Sequence, residues 1–291
     1  MSQYSDVFKS IKIRSELVIL ESNRAMLMGL VLLITFLFLA VFASFIAPYD
    51  PWEIGRPFLR PSLEHPLGTN DIGQDIFSEL IYSTRISLFV GIFAASVSMV
   101  LGTLIGLFSG YLRGVVDEAL MGLTDVILVL PALPLMIILA AHLSPSIWNI
   151  ILVIGCLWWT STARVVRSRV LQLREMPFVE AARALGAGDA YVVFRHILPN
   201  TLHVIFAKFV LAVAGAMLTE ASLSFLGLGD PMQKSWGMML NYAFSRGGFI
   251  NGYYWWYLPP GICISLTVLG FVLLGFGLER WMQNNSDFIN V

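Results

Sequence analysis

The sequence predicts an all-α integral membrane protein with six transmembrane helices. Three observations predict it. Apolar residues make up 57% of the 291-residue chain and charged residues only 13%, whereas a soluble domain carries roughly 25% charge. Six apolar stretches approach the roughly 20 residues that a helix needs to cross a bilayer. They are apolar all round rather than alternating, which argues against barrel strands.

The stretches run over 27–47, 86–110, 120–141, 147–163, 204–224 and 258–278. The first could pass for a signal peptide, but its apolar core is too long and Pro48 follows where cleavage would be wanted, so it reads as an uncleaved anchor. The third carries Asp125, and the fifth carries Lys208 and Glu220. For each of these charges a structural pair, a cap or a route to the interface competes with a substrate contact. Cys156 and Cys263 sit in apolar runs and read as small buried hydrophobes. The formal net charge of −1 leaves nothing to neutralise phosphates, so no nucleic-acid partner is expected.

Loop charge sets the orientation. With the N-terminus inside, twelve Lys and Arg fall in the inner segments 1–26, 111–119, 164–203 and 279–291, against five outside. Both termini are therefore expected in the cytoplasm, with 1–26 an inner segment, 48–85 an external loop, 86–278 a core of five spans and 279–291 an inner tail. Residues 1–26 read as an amphipathic helix on the inner leaflet or as a solvated tail. The run from Tyr253 to Tyr257 reads as an interfacial aromatic belt on the outer side, and Pro259 and Pro260 suit a helix start.

Gly102, Gly106 and Gly110 share one helix face, where a second backbone can approach closely, within this chain or from a partner. Catalytic patterns are missing. The four lysines follow Phe8, Ile11, Ala207 and Gln233, so none completes a nucleotide-binding P-loop. His65, His142, His196 and His203 form no metal-binding frame. The chain is expected to be non-catalytic and to hold no cofactor or metal.

The segment 164–203 carries the most information. Pro177 can start a helix with Glu180, Ala181 and Ala182 in its first turn, and Gly186 and Gly188 break it. A second short helix is expected over 189–197, with Asp189 as its cap and Pro199 as its end. The small residues leave a face that can press into a groove on another protein. Ordinary positive-inside loop chemistry is the competing reading.

Glu180-Ala181-Ala182, Gly186 and then His196-Ile197-Leu198-Pro199 resemble the EAA loop of ABC importer permeases, with His196 where the family prefers Ile. The segment from His65 to Asp75 and on to Arg85-Ile86-Ser87-Leu88 resembles the core opening of dipeptide, oligopeptide and nickel permeases, with Asn70 and Gln74 replacing Asp and Arg. Ser109-Gly110-Tyr111, Asp125 with Leu130-Pro131, and the run from Glu220 to Gly229 followed by Trp236-Gly237 are similar to the same group. The extra first span is similar to the second permease of such systems, the DppC/OppC type.

The resemblance implies the type I ABC importer permease fold. It implies a second permease subunit sharing the pathway, two ATP-binding subunits holding ATP and Mg, and an external solute-binding protein. It implies that Glu180, Ala181, Ala182, Gly186, Leu198 and Pro199 belong to the element that couples to the ATPases. Peptides are the implied cargo, with nickel or another small solute as the alternative. A self-sufficient carrier or channel would leave the EAA-like loop unexplained.

Overall fold

The computed structural model describes the backbone of residues 24–289 and the side chains of 24–282. The expected amphipathic segment lies outside these residues, except for 24–26. The described residues form helices and no strands, apart from one isolated bridge between Thr69 and Asp75. The elements are α1 (Arg24–Val41), α2 (Ala43–Ile46), α3 (Ile76–Leu112), α4 (Gly114–Val129), α5 (Ala132–His142) and α6 (Ile147–Arg174). They continue with α7 (Pro177–Ala184), α8 (Asp189–Val192), α9 (Leu198–Phe225), α10 (Trp236–Ser245) and α11 (Tyr254–Ile289). Five helices are long and apolar enough to span a membrane by themselves, and α4 with α5 makes a sixth, bent candidate.

The centre of the bundle is α3 against α6. A Cβ on Gly102 would lie 2.6 Å from the Trp159 carbonyl oxygen, one on Gly106 2.5 Å from that of Ala163, and one on Gly110 2.9 Å from that of Arg167. The glycine face therefore meets α6 of the same chain, backbone against side-chain-free backbone. Helix α9 packs against both α3 and α6, and α11 lies against α9. Helix α1 is peripheral. It packs along α11, where Gly29 faces Gly270, and its Phe36 ring meets Trp236 edge-on at 5.6 Å.

Several expectations need correction. The 120–141 stretch is not one straight helix: α4 and α5 meet at 88°. Leu130 precedes a proline and is extended, and Pro131 is extended too; a residue before proline is pushed out of the helical region. Helix α3 starts at Ile76, inside the expected 48–85 loop, because Asp75 caps it by accepting the Ser78 amide at 2.8 Å. Pro199 does not end a helix. One helical stretch runs from Asp189 to Phe225, with a π-helical segment over Val193–Ile197 that accommodates the proline. Asn200 and Thr201 side chains donate to the His196 and Ile197 carbonyls at 2.6 and 2.7 Å.

Pro259 and Pro260 sit inside α11, one turn beyond its start at Tyr254. Trp256 is a core residue, whereas Tyr254 is exposed, so the aromatic run is only partly an outward belt. Cys156 is exposed and Cys263 half-buried, against the reading of both as buried.

Candidate functional site

The two ends of the bundle are built differently. At one end, α6 runs into α7 and α8. Pro177 opens α7 with its fixed backbone angle. The helix closes with a two-bond turn: the Gly186 amide donates to the Arg183 carbonyl at 2.9 Å, and the Ala187 amide to that of Ala182 at 3.0 Å. Gly186 has φ +86°, the left-handed conformation that side chains with a Cβ disfavour. Among the described residues, its chain neighbours aside, no atom lies within 4 Å of where its Cβ would stand. The backbone, not crowding inside this chain, therefore requires glycine there.

The two sides of this segment differ. Val179, Val192 and Ile197 are buried together with Leu107, Val166, Val170 and Leu173. Phe178, Glu180, Leu185 and Tyr191 face outward, Leu185 at 89% exposure. Ala181 and Gly186 are exposed, Ala182 and Leu198 half-buried, and Pro199 exposed near the start of α9. Glu180 lies in the first turn of α7, and the N-cap of α8 is Gly188, with the Asp189 carboxylate bonded to Tyr111 instead. His196 lies 5.5 Å from the Tyr191 ring and 6.2 Å from that of Phe178, joining the two short helices.

Tyr111, in the last turn of α3, is the anchor that sequence reasoning missed. Its hydroxyl donates to Asp189 Oδ1 at 2.5 Å. Its carbonyl accepts from Arg174 Nη1 at 2.6 Å. The Arg183 and Arg174 guanidinium groups lie 5.4 and 5.6 Å from its ring centre. Contact with Tyr111 raises the pKa of Arg183, a guanidinium that is charged in any case. The only signal in the sequence was Ser109-Gly110-Tyr111. Beside it, Arg167 forks onto Asp117 with two bonds of 2.6 Å, and Ser109 Oγ donates to the same carboxylate, tying α4 to α6. Arg164 reaches Asp125 at 2.5 Å, so that span charge has a partner.

At the other end, the 47–75 segment folds over the helix ends. Lys234 donates to Glu79 at 3.0 Å and to Gln74 at 2.6 Å, and lies 4.8 Å from the Trp52 ring centre. Asn70 Nδ2 bonds both Gln74 and Glu79, so the two residues that depart from the family pattern belong to one cluster. Arg246 pairs with Asp71 at 2.9 Å, 4.1 Å from the Tyr242 ring centre. Burial pushes the Tyr242 hydroxyl pKa up. Arg85 donates to the last carbonyls of α1, Ala40 at 2.5 Å and Val41 at 3.0 Å. Glu220 is buried and accepts from Ser224 Oγ at 2.7 Å. Among the described residues, no group of three His, Cys, Asp or Glu side chains comes together to hold a metal ion.

The sequence profile described as "Binding-protein-dependent transport system inner membrane component" matches residues 102–285. The chain belongs to that family. A second profile, the N-terminal transmembrane domain of oligopeptide transport permease C, matches residues 19–65. The chain is 37% identical to the dipeptide transport system permease protein DppC of Alkalihalophilus pseudofirmus, over 89% of this chain and 86% of the relative. It is 35% identical to the oligopeptide transport system permease protein OppC of Bacillus subtilis, over 89% and 85%. It is 38% identical to the glutathione transport system permease protein GsiD of Pectobacterium atrosepticum, over 83% and 80%. The fold is the type I ABC importer permease fold, and this integral membrane permease works with other ABC transport components.

Proposed function

We propose that the chain is one of two permease subunits of an ATP-driven importer of peptides in the cytoplasmic membrane, with both termini inside. The relatives named for dipeptides, oligopeptides and glutathione support the cargo. The observation that carries the mechanism is the two-sided 176–199 segment. Its inner side is locked into the bundle by Val179, Val192 and Ile197. Its outer side offers Phe178, Glu180, Ala181 and Leu185 to a groove on an ATP-binding subunit.

Coupling follows from that anchoring. Closure of the two ATP-binding subunits, which hold ATP and Mg, displaces α7 and α8. Tyr111 and Arg174 transmit the displacement to α3 and α6, and the uninterrupted helix from Asp189 carries it along α9. Leu198 and Pro199 lie within that helix and keep the loop and the span one rigid piece. The second permease subunit packs on the apolar face of α4 and α5, where Val126, Val129, Leu133 and Ile138 are exposed. The external solute-binding protein docks at the opposite end and delivers the peptide.

The test is Gly186→Trp, with Gly188→Ala as the control. Gly188 has φ −70°, which any residue adopts. Gly186→Trp should leave membrane insertion at the normal level, abolish peptide uptake and weaken ATPase co-purification. Glu180→Lys should act in the same direction, less strongly. A Gly186→Trp protein with full ATPase association and full uptake would overturn the coupling role.

A further inference from the structure

At the end that carries α7, a cavity of about 450 Å³ opens between α6, α9 and α11. Its polar lining comprises Arg169 and Gln172 from α6, His203 and Lys208 from α9, and Glu279 from α11. Val165, Leu211 and Met282 contribute an apolar wall.

Three cations elsewhere in the bundle are paired. Arg164, Arg167 and Lys234 each meet a carboxylate, at 2.5, 2.6 and 3.0 Å. Among the described residues, no carboxylate oxygen lies within 4.0 Å of Arg169, His203 or Lys208. Arg169 Nη1 donates to Gln172 of its own helix at 3.2 Å, and its Nε is buried with no acceptor among the described residues. Lys208 lies ten residues beyond Leu198 in the apolar α9, where an uncompensated charge is costly. The cavity is therefore lined by two basic side chains that meet no carboxylate among the described residues, with a single carboxylate and an apolar wall.

We propose that this cavity binds the phosphate group of an anionic phospholipid from the adjacent leaflet. Arg169 and Lys208 are the phosphate ligands, because both are basic donors that meet no carboxylate among the described residues. Basic pockets between membrane helices take anionic headgroups in this way. A free phosphate ion would satisfy the same cations, but it leaves Val165, Leu211 and Met282 facing water. The glycerol and first acyl carbons of a lipid cover them. Glu279, at the rim, disfavours a second negative charge. A bound lipid would bridge α6, α9 and α11 just below the α6–α7 junction, and so brace the helices that carry the loop.

The test uses the full-length chain, delipidated in detergent and titrated with phosphatidylglycerol, phosphatidylcholine or inorganic phosphate, with native mass spectrometry as the readout. The wild-type chain should retain phosphatidylglycerol in preference to phosphatidylcholine, and inorganic phosphate should not displace it. Arg169→Gln with Lys208→Gln should weaken retention by an order of magnitude or more, at roughly fivefold per charge removed. Lys208→Arg should keep it. Equal retention of the two lipids, or an unchanged affinity in the double variant, would overturn the proposal. Displacement by inorganic phosphate would overturn the lipid assignment in favour of a free-anion site. The wild-type comparisons decide the matter even if the double variant fails to fold.

Discussion

Tyr111 and Asp189 are 78 positions apart in sequence, yet the tyrosine hydroxyl sits 2.5 Å from the aspartate oxygen. That bond joins the last turn of α3 to the first residue of α8. It makes the exposed loop an extension of the central helix pair rather than a loose connection between spans.

Tyr111→Phe removes the bond and keeps the ring under Arg174 and Arg183. The loss should be modest, about 1 kcal/mol, because Asp189 can turn to water. Hydrogen exchange should rise over 185–193 and stay unchanged in the middle of α3 and α6. Peptide-stimulated ATP hydrolysis in the assembled transporter should fall without loss of binding-protein affinity. Unchanged exchange in that window would show that the loop is held by its buried face alone.

Gly106→Leu should destabilise the fold more than any change at Gly122. A Cβ at Gly106 meets backbone at 2.5 Å, whereas one at Gly122 meets nothing within 4 Å. Forcing α3 and α6 apart should cost about 1–3 kcal/mol or more. Thermal unfolding in detergent should show a clear loss for Gly106→Leu and none for Gly122→Ala. Equal stability of the two would mean that the helices can separate freely.

Among the described residues, the Lys234–Glu79 ion pair is the most enclosed, with side chains 14% and 1% exposed. Lys234→Met leaves a buried carboxylate with one amide donor, Asn70, and no cation, a change worth about 3–5 kcal/mol. Adding Glu79→Gln should recover much of that loss. If the single and double variants unfold at the same temperature, the lysine acts through its stem on Trp52 rather than through charge.

Topology is testable at two exposed leucines. Leu63 is 104% exposed and Leu185 89%, at opposite ends of the bundle. Cys156 is itself exposed, so the starting background is Cys156→Ser with Cys263→Ser. A membrane-impermeant thiol reagent added outside intact cells should label Leu63→Cys and not Leu185→Cys. The reverse pattern would invert the orientation drawn from loop charge.

The sequence by itself determined that this chain lives in a bilayer, because runs of apolar residues longer than a soluble core needs have few other destinations. It also determined the glycine face on α3 and the break at Gly186. A four-residue spacing and a positive φ are local facts of backbone geometry. The right angle at Leu130-Pro131 was legible in principle, since proline restricts the residue before it, but hydropathy alone runs straight through it. The fate of Pro199 depended on a π-helical segment that propensity does not announce. What only the tertiary structure decided was partnership: Lys234 with Glu79, Arg167 with Asp117, Tyr111 with Asp189, and Cys156 left on the surface. Each depends on which helix faces come together, and that choice is made by packing across the whole chain, where residues far apart in sequence share one low-dielectric neighbourhood.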